Sequence, residues 1–136
     1  MSEKPPVLAD LEWQGDLRFR ARGGAITLDV DGDGRAGMSP VQALVVALAG
    51  CMASDVVHIL TKARLPLRSL RARLVAERAT QDPHRLVKVE LRFRVGGDIP
   101  PERIQHAIDL SRQTYCSVWH SLRQDIEFTT TFEVTA

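Results

Sequence analysis

The chain has 136 residues, of which 44% are hydrophobic and 26% are charged, and its net charge is +1. This length is typical of one domain, and the composition excludes a disordered or low-complexity chain. The balanced charge argues against nucleic acid as a partner, because proteins that bind DNA or RNA usually carry a clear basic excess. We therefore expect one globular domain over residues 1–136.

Several features predict where the protein is found. The polar segment 1–6 lacks the apolar core of a secretory signal. The most apolar run, residues 43–53, is shorter than the roughly 20 residues that cross a membrane. The only two cysteines, Cys51 and Cys116, are too few for the disulfide framework of a small secreted domain. We expect a cytoplasmic protein with reduced thiols and no membrane partner.

Strands and a polar loop are predicted before the first helix. Alternating apolar and polar side chains over residues 11–22 predict one strand, the glycine pair at 23–24 predicts a hairpin turn, and residues 26–30 alternate again. Residues 29–34 resemble the start of an EF-hand calcium loop, but the twelfth position holds Pro40 instead of a bidentate glutamate. We interpret this segment as a polar loop and expect no metal site.

A capping box predicts where a long helix begins. Ser39 is a suitable N-cap, Pro40 fits the first turn, and the side chain of Gln42 can reach back to the cap. The helix is expected to reach about Arg64, because Pro66 blocks its continuation. Its first half is apolar on nearly every face, which predicts burial on all sides and a second copy of the chain as cover.

The second half of the chain contains three predicted strands. Residues 69–78 and 86–95 alternate between apolar and polar side chains, with a turn at 80–84 between them, and residues 126–134 form the last strand. Such alternation indicates strands with one buried and one wet face, as in antiparallel sheets.

Two further helices are predicted between the last two strands. One begins at residues 100–102 and carries an apolar stripe that continues through Ser111 to Tyr115. Cys116 and Ser117 interrupt it, and a short helix over 118–122 follows with Ser117 as its cap. The predicted order is β-β-α-β-β-α-α-β, an α+β fold.

Cys51 lies among small residues in the long helix. By residue type alone, such a cysteine is most often an inert small hydrophobe in a core. However, the small-residue stripe lets another backbone or a ligand approach the sulfur, and Asp55 and His58 lie one and two turns further along the same face. A carboxylate raises the pKa of a thiol and a cation lowers it, and the sequence leaves both outcomes open.

Cys116 is predicted just before a helix start, where backbone dipoles favour the thiolate. A mid-helix thiol and a thiol at a helix start suit two-step peroxide reduction. In that chemistry one thiolate becomes a sulfenic acid, the second thiol closes a disulfide, and an external dithiol resets the pair. Apolar surroundings at Cys51 favour an organic hydroperoxide over hydrogen peroxide. From the residues alone this is one option among several.

Two motifs surround the cysteines. They are Ser39-Pro40-x-Gln42-Ala43-Leu44-x-x-Ala47-Leu48-Ala49-Gly50-Cys51 and Ser111-x-x-x-Tyr115-Cys116-Ser117-Val118. Both resemble the OsmC/Ohr superfamily of hydroperoxide reductases, and residues 55–62 look like its OsmC-like branch. The resemblance covers nearly the whole chain and implies an α+β OsmC-like fold, in which antiparallel sheets pack around a long central helix in an intertwined homodimer.

The resemblance also implies an activity. By analogy with the family, Cys51 is the peroxidatic thiol and Cys116 the resolving thiol of an enzyme that reduces organic hydroperoxides in oxidative-stress defence. The family uses a lipoyl or other small dithiol as reductant, and no cofactor is expected.

The chain departs from the family pattern at one point. Characterised peroxidases of the family use a glutamate early in the helix and an arginine from the N-terminal sheet. Here Val41 and Gln42 occupy the matching helix positions, and the arginine is Arg22, Arg20 or Arg35. The missing carboxylate keeps an alternative open, namely a non-enzymatic dimer that binds an apolar small molecule and has inert thiols.

Overall fold

The structure is a computed structural model that describes residues 3–135. Its chain forms two compact units, Met1–Leu44 and Val45–Ala136. The first unit contains a three-stranded sheet and the start of the long helix α1, and the second contains the rest of α1, a second three-stranded sheet and the remaining helices.

The first sheet is antiparallel, with strands β1 (Asp10–Gly15), β2 (Arg18–Gly23) and β3 (Ile26–Asp31) in that order. The prediction of one strand over 11–22 is therefore wrong. The chain turns at Asp16 and Leu17, where Gly15 and Asp16 adopt positive φ angles of 108° and 48°. Because the period-2 alternation continues on both sides of this turn, the pattern conceals it.

One face of this first sheet is apolar. Cross-strand pairing aligns Leu11, Ala21 and Leu28 in one row and Trp13, Phe19 and Val30 in the next. Trp13 is 66% exposed, and Leu11 and Leu28 are also exposed. Much of this apolar face is therefore open to solvent in the single chain.

The loop after β3 is organised by one carboxylate. The buried side chain of Asp31 accepts hydrogen bonds from the backbone N–H groups of Asp33 at 2.9 Å, Arg35 at 3.3 Å and Ala36 at 2.9 Å. These bonds hold the pKa of Asp31 below its usual value. The interpretation of this segment as a polar loop is confirmed, because the carboxylate binds the backbone of its own loop.

Helix α1 spans Pro40–Lys62. The Ser39 hydroxyl accepts a hydrogen bond from the backbone N–H of Gln42 at 3.1 Å, which confirms the predicted cap. The buried residues recur every fourth position and form one stripe: Leu48, Met52, Val56 and Leu60. Because Val46 and Val57 are exposed, burial on all sides requires a second copy of the chain and stays a prediction.

By length and composition α1 could cross a membrane, since it has 23 residues and a high mean hydropathy. The short length of the apolar run 43–53 therefore does not by itself exclude a membrane span. A core helix of a soluble protein meets the same criteria, so α1 is only weak evidence for a membrane span.

The second sheet consists of β4 (Ser69–Arg78), β5 (Leu86–Gly96) and β6 (Glu127–Thr135), with β5 in the centre. Strand β4 pairs with β5 in the antiparallel sense, but β6 runs parallel to β5. The prediction of antiparallel sheets is wrong for this last pair. The helices between β5 and β6 form a crossover, which returns the chain to the end of the sheet where β5 began.

The helical region consists of α2 (Pro101–Leu110), a π-helical turn (Ser111–Tyr115) and α3 (Ser117–His120). The backbone N–H of Cys116 donates to the carbonyl of Ser111, five residues earlier, at 2.8 Å. This wider turn changes which residue faces inward: Tyr115, predicted on the apolar stripe, is 57% exposed, whereas Cys116 is fully buried. The predicted cap of α3 is also wrong, because Cys116 rather than Ser117 is the N-cap.

Candidate thiol site

Cys51 lies at the middle of α1, next to the buried stripe, and is half-buried. On its other side are the exposed small residues Ala47, Gly50 and Ser54. A Cβ atom added at Gly50 would meet no atom of the described chain within 4 Å, apart from the backbone of the helix itself. The small-residue stripe predicted from the sequence is thus an open approach to Cys51 in the single chain.

Cys116 is fully buried at the N-cap of α3. Its Sγ accepts a hydrogen bond from the backbone N–H of Trp119 at 3.3 Å. The ring of Trp119 packs against Phe128 with centroids 4.6 Å apart, and the Arg112 guanidinium lies 4.8 Å from the Phe128 centroid. Aromatic side chains therefore anchor the turn that carries this thiol.

Burial raises the pKa of the Cys116 thiol from its usual 9.0 to about 11. Hydrogen bonds from the N–H groups of Trp119 and Val118 act in the opposite direction but do not outweigh burial. The expectation that a helix start favours the thiolate of Cys116 is therefore wrong in its net result. The dipoles act as expected, but the sequence did not reveal that the sulfur is buried.

The two thiols interact. The neighbouring Cys51 thiol further raises the pKa of Cys116, both by hydrogen bonding and by its charge when ionised. Both cysteines are free. The Cys51 thiol is thus near enough to Cys116 to affect its pKa, and Cys116 remains protonated at neutral pH.

A second link joins the same two segments. The hydroxyl of the fully buried Ser111 donates to Oδ2 of Asp55 at 2.7 Å. Of the two residues that the sequence placed near Cys51, Asp55 is half-buried in this contact, whereas His58 is exposed. Sequence reasoning did not assign a partner to Asp55. The sequence feature that indicates this contact is Ser111 itself, a polar residue on the otherwise apolar stripe that begins in α2.

No carboxylate lies in the first turn of α1. Val41 is half-buried, and Gln42 is exposed with its N–H bound to the N-cap. Within residues 3–135, no group of three or more His, Cys, Asp or Glu side chains is arranged as a metal site.

The three arginines proposed to activate a peroxide all lie in the first unit and are exposed. Arg20 forms an ion pair with Asp29 at 3.1 Å on the polar face of the first sheet. Arg22 is on the same face of β2, and Arg35 is in the loop after β3. The choice among them stays a prediction.

A groove of about 640 Å³ on the second sheet has no cysteine in its lining. Its basic residues are Arg71, Arg73, Arg92 and Arg94. Register places Arg71 opposite Arg94 and Arg73 opposite Arg92, so like charges face each other across β4 and β5. This groove is separate from the thiols.

The family model of OsmC-like protein matches residues 31–131, which include both cysteines. The chain belongs to the OsmC-like family. A relative, Protein YhfA of Escherichia coli (strain K12), is 33% identical over 132 residues, which cover 94% of this chain and 98% of YhfA.

Solved structures share this OsmC-like fold. A hypothetical protein from Aquifex aeolicus VF5 superposes with a TM-score of 0.90 at 22% identity and covers 97% of this chain and 98% of its own. An organic hydroperoxide resistance protein from Elizabethkingia anophelis gives a TM-score of 0.72 at 17% identity, covering 99% and 100%. The predicted α+β, OsmC-like fold is confirmed.

Proposed function

We propose that this chain is a thiol-dependent peroxidase that reduces organic hydroperoxides, with Cys51 as the peroxidatic and Cys116 as the resolving residue. The observation that carries this proposal is that Cys51 lies near enough to Cys116 to raise its pKa, while Cys116 is fully buried and Cys51 is half-exposed. Membership of the OsmC-like family supports a redox role. In this proposal residues 1–136 act as one OsmC-like domain.

The first step is assigned to Cys51 because its side chain is the one that a substrate can reach. Its thiolate attacks the terminal oxygen of the hydroperoxide, the O–O bond breaks, and the alkoxide takes a proton and leaves as an alcohol. Cys51 becomes a sulfenic acid. Apolar residues flank Cys51 along α1, which favours a hydroperoxide with a hydrocarbon group over hydrogen peroxide.

The second step is assigned to Cys116. Its sulfur attacks the sulfenic sulfur, an S–S bond forms, the S–O bond breaks, and the proton of Cys116 leaves with the hydroxyl as water. A dithiol reductant then reduces the disulfide by exchange. With a pKa of about 11, only about one Cys116 in ten thousand is ionised at pH 7, which limits its competition for the peroxide.

A homodimer is part of the proposal. The single chain exposes Leu11, Trp13 and Leu28 of the first sheet and, separately, Val46 and Val57 of α1. Exposed apolar surface of this kind marks interaction sites, and a second copy provides a matching apolar surface. Sedimentation at micromolar concentration should give a dimer, and a stable monomer would contradict this part. We place the protein in the cytoplasm, where thiols are kept reduced.

The test uses reduced protein and cumene hydroperoxide with a dithiol reductant. The wild type should consume the peroxide, and in the absence of reductant it should form a Cys51–Cys116 disulfide. Cys51→Ser should abolish both reactions. Cys116→Ser should still react once and stop as a sulfenic acid that a sulfenic-acid probe can trap. Normal turnover by the Cys51→Ser variant would refute the assignment.

The same experiment distinguishes the alternative function. The absence of a carboxylate in the first turn of α1 favours that alternative, because the family's peroxide-activating glutamate is missing. A non-enzymatic dimer would give no turnover and slow labelling of its thiols, and an apolar ligand would raise its thermal stability.

A further inference from the structure

Ser111 makes two hydrogen bonds that point in different directions along the chain. Its hydroxyl donates to Oδ2 of Asp55 on α1 at 2.7 Å, and its carbonyl accepts the backbone N–H of Cys116 at 2.8 Å. Ser111 is fully buried. One residue therefore links the backbone of the buried thiol to a carboxylate on the helix that carries the other thiol.

Asp55 is four residues after Cys51, so both lie on one face of α1, about 6 Å apart along its axis. Cys51 lies near enough to Cys116 to raise its pKa, and this proximity completes a ring of four residues. Two sides of this ring are covalent segments of chain, 51–55 and 111–116, and the other two are the Asp55–Ser111 hydrogen bond and the proximity of the two thiols. A ring of this kind restricts where Cys116 can move relative to Cys51.

Burying the polar side chains of Ser111 and Asp55 at this contact costs free energy that apolar side chains would not cost. The buried stripe of α2, Ile104, Ala107 and Ile108, reaches Ser111 on the same face, where an apolar side chain would bury area without needing a partner. A buried hydroxyl must instead find an acceptor, and a half-buried carboxylate must find a donor. Pairs of this kind are directional, whereas apolar contacts are not.

The π turn is a second indication that the contact between Ser111 and Asp55 has more than a structural role. Residues 111–115 make the wide turn that buries Cys116 instead of Tyr115. Such turns are rare and frequently occur at functional sites. Ser111 is its first residue, so the bond to Asp55 fixes the start of this turn against α1.

We propose that Ser111 and Asp55 are positioning residues, which hold Cys116 where it can close a disulfide with Cys51. This inference rests on the cysteine pair of the proposed function. Neither residue takes part in the chemistry. Their effect is to raise the effective concentration of the Cys116 thiol at Cys51, because less conformational freedom is lost when the disulfide forms.

The test measures the equilibrium between the protein's dithiol and disulfide in buffers of reduced and oxidised glutathione, without peroxide. The protein's dithiol gives two protons and two electrons to glutathione disulfide, which becomes two glutathione molecules. Removing a hydrogen bond to a charged group by Ser111→Ala should weaken the disulfide roughly 10- to 100-fold, which corresponds to about 30 to 60 mV. Ser111→Thr, which keeps the hydroxyl, should restore most of the difference.

Ser121→Ala is the matched control, because Ser121 donates a similar 2.7 Å bond to the backbone carbonyl of Ser117 within its own turn. Its disulfide equilibrium should stay within about twofold of the wild type. A merely structural bond would stabilise the dithiol and disulfide forms equally, so its loss would lower the melting temperature without moving the equilibrium. If Ser111→Ala does not fold, Asp55→Asn, which removes the charge, gives the same comparison.

The outcomes separate the two proposals. An unchanged equilibrium in the folded Ser111→Ala or Asp55→Asn variant would overturn the positioning role, even if the wild type reduces peroxide. A shifted equilibrium in a protein that does not consume peroxide would support positioning and refute the peroxidase. If the wild type forms no Cys51–Cys116 disulfide in the most oxidising buffer, the positioning role falls, whereas peroxide turnover is measured independently.

Discussion

Raising the pH should destabilise the reduced protein through one side chain. The buried thiol of Cys116 has a pKa of about 11 in the folded chain, against 9.0 for an ordinary cysteine. Below pH 9 the thiol is protonated in both the folded and unfolded states. Between pH 9 and pH 11 the unfolded thiol ionises while the folded one keeps its proton, so the free energy of unfolding falls as the pH rises.

The size of the effect follows from the two pKa values. The full difference corresponds to about 3 kcal/mol, of which about 1.4 kcal/mol is lost by pH 10. That loss is a large fraction of the 5 to 15 kcal/mol by which domains are typically stable. Replacing the thiol by Cys116→Ala removes this pH-dependent part, whatever else the substitution costs.

The assay is urea unfolding of the wild type and Cys116→Ala in a phosphine reductant at intervals from pH 7.5 to pH 11. The difference in unfolding free energy between the two proteins should be constant up to about pH 8.5 and then fall by about 1.4 kcal/mol at pH 10. Taking the difference cancels the other groups that titrate at alkaline pH. A difference that stays constant to pH 10.5 would refute the high pKa.

A second variant separates the two causes that raise this pKa, which are burial and the neighbouring Cys51. Cys51→Ala leaves Cys116 as the only thiol and removes the hydrogen bond and the charge that Cys51 contributes. The pKa of Cys116 should then fall below about 11 but stay above 9.0, because burial is the largest cause. Thiolate absorbance near 240 nm during an alkaline titration measures it directly. An unchanged pKa would mean that the two sulfurs do not interact.

Three further substitutions test other contacts. Ser39→Ala removes the acceptor that caps α1 and should lower the free energy of unfolding by about 1 kcal/mol; an unchanged urea midpoint would contradict the cap. Backbone N–H groups lower the pKa of Asp31 in the folded chain, so its carboxylate stabilises the fold above pH 3.8, and this stabilisation is lost as the pH falls through the folded-state pKa. In Asp31→Asn the free energy of unfolding should therefore fall less steeply at acid pH than in the wild type. An equally steep fall in both proteins would contradict this role of Asp31. Arg73→Glu places a carboxylate opposite Arg92 and should stabilise the protein by about 0.2 to 1 kcal/mol, less at high salt; destabilisation in low salt would contradict the register.

The elements with strong local signals could be predicted from the sequence. The alternation in β5 and the cap at Ser39 gave the correct type of element, with boundaries within a residue or two. In both cases the physical cause lies within a few residues of the position in question. A cap involves atoms three residues apart, and a strand face is set by its own side chains.

The features that could not be predicted depend on distant parts of the chain. The parallel pairing of β6 with β5 depends on how the intervening helices return the chain to the sheet. The turn at Asp16 was concealed because alternation continues on both sides. The raised pKa of Cys116 comes mainly from burial by residues elsewhere in the sequence, whereas the helix-start dipole was the only effect that local residues could indicate.

The candidate site was predicted in part. The sequence drew attention to Cys51, Cys116 and Asp55, and folding brings the first two together and directs the third at Ser111. Ser111 itself was assigned to the stripe of α2 and given no partner. A helix repeats its face every three or four residues, and that rule fails where the turn widens to five residues.

The widened turn also makes the chemistry of this helix sensitive to length. Each residue advances an α-helix by about 100°, so a regular α-helix of the same length would turn Tyr115, four residues after Ser111, to the inward face. The widened turn holds one extra residue and turns Cys116 inward instead. Deleting one codon between Ser111 and Cys116 would therefore let a regular α-helix present the same thiol, whereas straightening the turn at its full length would present the phenol of Tyr115.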